Sequence, residues 1–437
     1  MSLQLKVFPV LLCLALAVPV SIHAQQALNE KIDTNAEQIE QKVLEWRRDI
    51  HQHPELGNQE TRTAALIAAH LRSLGMQVQE NVAVTGVVGI LEGGHPGPIV
   101  ALRADMDALP VTERNDLPFK STKTTVYNGQ EIGVMHACGH DTHVAILMGV
   151  AEVLTSMKEE LHGSVKFIFQ PAEEGVFEEG IGSWGAKRMV EEGVMKDVDA
   201  VFGLHINSQT EVGKIKYRPG PAMAAVDNLK LVVKGRQAHG AYPWSSVDPI
   251  VTSAQMVNAL QTIISRNVNI TENPAIVTIG SIHGGVRQNI IPETVEMLGT
   301  IRTYGEQQQQ LIHQRINTIA THTAEAAGAK VDITIDKIYP ATINDIDLTE
   351  LMLPSLINVA GEENVIYHDP ITGAEDFSYF QQEVPGLFIF LGGMSIGKKP
   401  EEVAAHHTPD FFIDEAGLIL GVRALSYLTV DYMGLEE

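Results

Sequence analysis

Short, largely apolar runs separated by helical stretches most limit what this chain can become. The runs Pro98–Arg103, Val165–Phe169, Ala200–Leu204 and Leu387–Leu391 carry almost no polar alternation. Such strands must be covered on both faces, and a sheet flanked by helices supplies that cover. Helical spacing falls between them. Ile32, Ile39, Val43, Trp46 and Ile50 recur on one face, Thr63–Leu71 runs to a stop at Gly75, and Val144–Met157 follows. Leu348–Ala360, Ala374–Gln382 and Asp414–Tyr432 read as helices again. The expectation is an α/β core with a mixed, mostly parallel sheet. With 437 residues against about 150 for a typical domain, the chain has room for a second unit.

That unit is predicted at residues 222–339, where the pattern becomes β-α-β-β-α-β, the order of a ferredoxin-like α+β domain. It begins with the alternating strand Leu229–Lys234 and a helix from Pro249 to Arg266. Strands at Ala275–Ile282 and Glu293–Arg302 follow, then a polar helix from Glu306 to Ala327 and a last strand at Lys330–Asp336. The first unit is then discontinuous, covering 25–221 and 340–437.

Residues 1–24 have the form of a secretory signal. Lys6 precedes the apolar run Val7–Val18, and Ile22-His23-Ala24 makes a small-residue cleavage site before Gln25. The run is too short for a comfortable span of about 20 residues and contains Pro9. A secreted or periplasmic location is expected, with no membrane attachment once the signal is cut. Cleavage would remove Cys13 and leave Cys138 as the lone thiol, unusual for an exported chain unless a metal occupies it. The formal charge of −23 repels phosphate backbones, and aromatic residues at 5% leave few stacking platforms. Nucleic-acid partners are therefore not expected.

The densest chemistry lies in Met135-His136-Ala137-Cys138-Gly139-His140-Asp141-Thr142-His143, five potential ligands in nine residues ahead of an apolar helix. Thiolate and imidazole suit borderline metals such as Zn²⁺, and Cys138 and His140 can converge across Gly139. His136 and His143 read better as structural histidines. Asp141 can cap the helix. Glu173 and Glu174, in Gln170-Pro171-Ala172-Glu173-Glu174-Gly175, leave the end of a buried strand, where open α/β sheets bind ligands. Adjacent side chains point apart, so the economical reading gives one carboxylate to metal and the other to a water. Glu178 and Glu179, close behind, keep open the alternative of a solvated acidic turn. His205 ends a strand, and His407 in His406-His407-Thr408-Pro409 precedes the final helix. Cys138, His140, Glu174, His205 and His407 make five ligands, too many for one tetrahedral ion and right for two that share a bridge. Asp105 and Asp107, beyond another strand, could orient a ligand imidazole or simply form a turn. His239, Arg287 and Asn289 sit in Gly/Pro loops of the second unit and suit a carboxylate or oxyanion.

Taken together, these segments resemble the amidohydrolase branch of the co-catalytic metallopeptidase and aminoacylase family, which includes hippurate hydrolases, N-acyl-amino-acid hydrolases and auxin-conjugate hydrolases. The match runs from His51-Gln52-His53-Pro54-Glu55-Leu56 to His407-Thr408-Pro409, with Cys-Gly-His-Asp, Gln-Pro-Ala-Glu-Glu-Gly and Gly-Leu-His in the family's order. The resemblance implies a two-metal catalytic domain with Zn²⁺ or Mn²⁺ (Co²⁺ or Ni²⁺ also suit the donors) and an inserted lid that usually dimerises. It implies Cys138, His140, Glu174, His205 and His407 as ligands and Glu173 as general base. His239 would stabilise the oxyanion or grip the substrate carboxylate, often across the dimer interface, with Arg287 and Asn289 assisting. The expected activity is hydrolysis of an N-acyl amino acid or short peptide to a free amino acid. A metallo-exopeptidase and a non-catalytic metal- or peptide-binding protein are the rival readings.

Overall fold

The computed structural model describes residues 18–176 and 182–436. Residues 1–17 of the expected signal, and the acidic pair Glu178 and Glu179, lie outside the described residues.

The larger unit is built on an eight-stranded sheet. In spatial order its strands are Gln77–Val82, Gly86–Glu92, His162–Gln170, His95–Asp105, Ala200–Glu211, Gly386–Met394, Ile215–Tyr217 and Val365–Tyr367. The four central strands, from His162–Gln170 to Gly386–Met394, run parallel, with antiparallel pairs toward both edges. The sheet is therefore mixed and largely parallel, as the apolar runs require. All nine residues of Gly386–Met394 are buried. Helices α2 (Thr61–Ser73) and α3 (His140–Thr155) pack on it with the C-terminal helix Leu418–Met433, and α1 (Val18–Gln52) packs on α3 and that last helix. The stripe Ile32, Ala36, Ile39, Val43 and Ile50 of α1 enters this core. A second apolar layer, including Phe377, Phe380 and Phe388, covers the other face.

The chain between Ala225 and Tyr339 forms its own sheet in the order Ile276–His283, Thr294–Thr303, Ala225–Lys234, Lys330–Tyr339, antiparallel throughout. The helices Pro249–Arg266 and Glu306–Ala326 pack against this sheet around a separate core that includes Leu229, Leu231, Leu260, Met297 and Ile316. This is the ferredoxin-like order. Asp248 caps the first of these helices by accepting from Ile250 N and Val251 N, and Pro249 stands at its first position, which is why its start is sharp. The short strands Gly220–Met223 and Thr342–Asn344 pair where the chain enters and leaves the insertion.

One expected helix contracts. Of Ala374–Gln382 only Ser378–Gln381 is helical. Glu375 and Asp376 are fully buried instead, because their carboxylates are held by Arg103, which a continuous surface helix would not allow.

Candidate metal centre and active site

Most of the chemistry-bearing residues gather past the carboxyl ends of the parallel strands, where a βα sheet leaves a crevice; His205, expected at a strand end, lies within Ala200–Glu211, because that strand continues beyond its apolar run. Cys138 lies in the loop ahead of α3, and His140 is the first residue of that helix. Gly139 between them takes φ +98°, and a Cβ there would meet Ile206 Cγ2 at 2.4 Å. A glycine is needed for the loop to turn so tightly into the helix. Glu173 and Glu174 follow Ala172, which holds a left-handed φ of +51°, a strain of about 1–3 kcal/mol in a non-glycine residue. His407 is also left-handed, at φ +64°.

The structure brings Cys138, His140, Glu174, His205 and His407 together. Cys138 Sγ is 3.3 Å from Nε2 of His205 and 3.3 Å from Nε2 of His407, and His407 Nε2 is 2.8 Å from Glu174 Oε1. Cys138, His140 and His205 form one group with ligand atoms all within 4.8 Å, and Cys138, Glu174 and His407 form a second. The thiol belongs to both.

The surroundings fit cations. His140 Nδ1 is bonded to Asp107 Oδ1 at 3.1 Å, and its buried Nε2 has no hydrogen-bond partner. His205 Nδ1 donates to Ile206 O at 2.6 Å, which leaves the Nε2 lone pair toward Cys138. An imidazole fixed through one nitrogen so that the other is free is the usual arrangement of a metal ligand. Burial and the neighbouring His143 and His406 hold His205 well below the ordinary histidine value, hence neutral. Burial, with the carboxylates of Glu174, Glu173 and Asp105, pushes the Cys138 thiol well up, so a thiolate there needs positive charge beside it. Burial depresses His140, but Asp105 and Asp107 outweigh it and raise the ring to about 10.

Glu173 is buried beside this cluster and groups both with His140 and Glu174 and with Glu375 and Asp376. Burial, then repulsion from Glu375 and Glu174, pushes its carboxyl well above the usual range. That is the direction a proton-carrying group requires.

Asp107 bonds the candidate ligand His140, whereas Asp105 is taken up by Arg103 and His143. Asp107 Oδ2 also accepts from Glu174 N at 2.9 Å, so one carboxylate holds a member of each group. Asp105 binds His143 Nδ1 at 2.5 Å, and His143 Nε2 accepts from Ile206 N at 2.8 Å, so His143 is structural. His406 spends Nδ1 on Cys138 O and Nε2 on Ser208 N, which leaves its neighbour His407 for the cluster. His136 is buried outside these groups. Asp141 does not cap α3. It pairs with Arg47 and His51, each at 2.9 Å, and locks α3 to α1.

His239, Arg287 and Asn289 are brought near one another, on a separate exposed face of the inserted unit. The two-residue strands Ala238–His239 and Ile290–Ile291 pair, Gly240 N donates to Asn289 O, and His239 Nδ1 accepts from Ala241 N. Among the described residues no hydrogen bond or ion pair joins them to the Cys138 cluster.

Sequence reasoning missed Glu60, Arg103, Glu375 and Asp376. Arg103 is fully buried in a strand, bonded to Asp105, Glu375, Asp376 and Gln170. The one available signal was a charged residue at the end of an otherwise apolar run.

The sequence profile of peptidase family M20/M25/M40 matches residues 101–431. The chain belongs to this family. Thermostable carboxypeptidase 1 of Saccharolobus solfataricus is 41% identical over 407 residues, 93% of this chain and 99% of that protein. An N-acetyl-L-cysteine deacetylase of Bacillus subtilis is 36% identical over 390 residues, covering 89% and 88%. A solved Bacillus subtilis structure, described as a dinuclear metal-binding peptidase of the M20 family, superposes with a TM-score of 0.76 at 32% identity, covering 91% of this chain and 99% of that one. The protein is accordingly a metal-dependent hydrolase of amide C–N bonds, on the amidohydrolase branch of a family that binds two metal ions.

Proposed function

We propose that this chain is an exported amidohydrolase that cleaves N-acyl amino acids or short peptides, with Glu173 as general base. The observation that carries the reading is the shared thiol: Cys138 Sγ stands 3.3 Å from His205 on one side and from His407 on the other, with a buried carboxylate, Glu173, beside both groups. Cys138, His140 and His205 would hold one divalent cation and Cys138, Glu174 and His407 the other. When bound, the cations supply Lewis acidity that polarises the amide carbonyl and acidifies water. Zn²⁺ or Mn²⁺ suits this donor set, and metal analysis of the purified protein checks the identity.

The chain's own residues do the rest. Glu173 takes a proton from the attacking water and returns it to the departing amine nitrogen. Its raised pKa favours holding that proton between the two steps. Asp107 keeps His140 and the Glu174 backbone in place meanwhile. Glu173→Gln should retain two metal ions per chain and lose about 10²–10⁴-fold in turnover, measured as release of free amino acid. Near-normal turnover in that variant removes Glu173 from the mechanism.

A carboxypeptidase reading shares the chemistry, and the name of the Saccharolobus solfataricus relative supports it. A panel of acylated amino acids against peptides separates the two. A homodimer through the inserted unit is supported by its edge strand Ile276–His283, where Ile276 and Ile282 are exposed with Leu298 beside them. Apolar edges of this kind are normally covered. In such a dimer the exposed His239 would serve the partner's site as oxyanion or carboxylate contact, with Arg287 and Asn289 next to it. Export rests on residues 1–24. Leu28, beyond the expected cut after Ala24, is packed against the core. N-terminal sequencing of the exported chain should begin at Gln25.

A further inference from the structure

Three side chains grip the turn that carries Glu173, one on each of three successive residues. The Glu60 carboxylate accepts from Ala172 N at 2.8 Å, and Asp107 accepts from Glu174 N at 2.9 Å. The Tyr339 hydroxyl donates to the carbonyl oxygen of Glu173 at 2.5 Å. The first two grips belong to the larger unit, since Glu60 immediately precedes α2 and Asp107 follows the strand His95–Asp105. Tyr339 has another origin. It is the last residue of Lys330–Tyr339, the strand by which the chain leaves the inserted sheet.

The surroundings of Tyr339 are built for this contact. Its neighbour Ile338 offers its carbonyl to the Tyr379 hydroxyl at 2.7 Å, so the end of the strand is fastened to the larger unit at two adjacent points. Trp184, Tyr339 and Tyr379 line one cavity of about 140 Å³ at this junction. Ala172, one residue ahead of the base, is held left-handed at φ +51°. Such a turn relaxes when its holders are removed. A carbonyl fixed at Glu173 fixes the direction in which its side chain leaves the backbone.

We propose that Tyr339 is a positioning residue that sets the Glu173 carboxylate against the scissile amide and transmits the attitude of the inserted unit to the turn carrying the base. The proposal rests on the reading of Glu173 as general base. It differs from that reading in naming the strand Lys330–Tyr339 as the part of the fold that aims the base.

The test uses full-length, metal-loaded protein. Tyr339→Phe removes the hydroxyl and keeps the ring. Tyr379→Phe loosens the same strand end without touching the Glu173 carbonyl. Turnover of N-acyl amino acids, metal per chain, and hydrogen–deuterium exchange of a peptide covering residues 170–176 are measured together. A misplacement of about 1 Å at a reacting group costs on the order of 10²-fold, so Tyr339→Phe should lower kcat by roughly 10- to 100-fold. KM should stay within about threefold and metal content should not change, while exchange in the turn quickens. Tyr379→Phe should keep kcat within about threefold, because the Glu173 contact survives. A Tyr339→Phe protein with kcat within about twofold of wild type and unchanged exchange overturns the proposal. Loss of metal together with a raised KM also overturns it, since that pattern marks general disruption of the fold. If Glu173→Gln itself retains turnover, the base assignment fails. Faster exchange in Tyr339→Phe then still supports the grip on the turn, and unchanged exchange refutes it.

Discussion

Replacing Asp107 by Asn tests the geometry of the paired groups most directly. The carboxylate has two tasks, accepting from His140 Nδ1 at 3.1 Å and from Glu174 N at 2.9 Å. Asparagine has one acceptor oxygen and one donor nitrogen, so neither orientation of the amide satisfies both. With the oxygen toward Glu174, the amide N–H faces His140 and drives the imidazole to carry its proton on Nε2, the nitrogen aimed at the cluster. With the oxygen toward His140, the amide N–H meets the Glu174 N–H, donor against donor. Either way one hydrogen bond to a charged group is lost, about 1.5–3 kcal/mol, which is roughly a ten- to hundredfold loss of affinity. Substitutions behind metal ligands cost a similar 10–100-fold. In the proposed assignment His140 and Glu174 hold different ions, so both ions should bind more weakly. The assay is competition for metal against a chromophoric chelator, with occupancy followed ion by ion. Unchanged affinity for both ions, or weakening of one alone, would refute the argument that Asp107 spans the pair.

Two further outcomes follow from the same structure. Burial pulls the His51 ring down, but Asp141 and Glu113 outweigh it and hold the pKa above the ordinary value. The folded state therefore binds a proton that the unfolded chain releases near about pH 6.5, so this stabilisation is complete below that pH and fades as pH rises through the folded value. In urea titrations His51→Gln should lose more stability at pH 6 than at pH 9, and a gap independent of pH contradicts the charged pairing. For the proposed dimer, His239→Ala and Glu173→Gln should each be nearly inactive alone, yet regain activity when unfolded together and refolded as mixed dimers. No recovery in a confirmed mixed dimer removes His239 from the partner's site.

Much of the fold was legible because its signals are local. An apolar run such as Leu387–Leu391 has to be an interior strand, and the α1 stripe has to face a core. The start of the helix Pro249–Arg266 was readable because Pro249 stands there, and Asp248 caps it. The start of α3 was not. Apart from Glu152, every residue from His140 to Leu154 is buried, so the helix has no polar face and its first turn reads as a polar loop. The five clustered side chains were legible as types in motif, and the structure places them close together. Arg103 and Asp376 were not legible as partners, being 273 positions apart with nothing in either neighbourhood that names the other. His239 carries a motif, but its side chain meets Ala241 and Tyr242 of its own loop.

The residue that joins the candidate ligand cluster to Glu173, the proposed base, is Arg103, and its chemistry explains why a lysine would not serve. Three nitrogens of the guanidinium point three ways: Nε to Gln170, Nη1 to Asp105, and Nη2 to Glu375 and Asp376. The Asp105 branch continues through His143 to the Ile206 backbone, whose carbonyl fixes the ring of His205. The Asp376 branch, braced by Gln170 and Ala186, presents its own backbone N–H to Glu173 Oε1 at 3.3 Å. One planar cation thus sets the angle between a candidate ligand and the base. An ammonium group, a point charge on a flexible stem, has no fixed fork with which to hold both branches. The arrangement also answers a charge problem. Asp105, Asp107, Glu173, Glu174, Glu375 and Asp376 crowd one buried region, and Arg103 directly offsets only three of them. The other three face the thiol and imidazoles, so the uncompensated negative charge lies where divalent cations would sit.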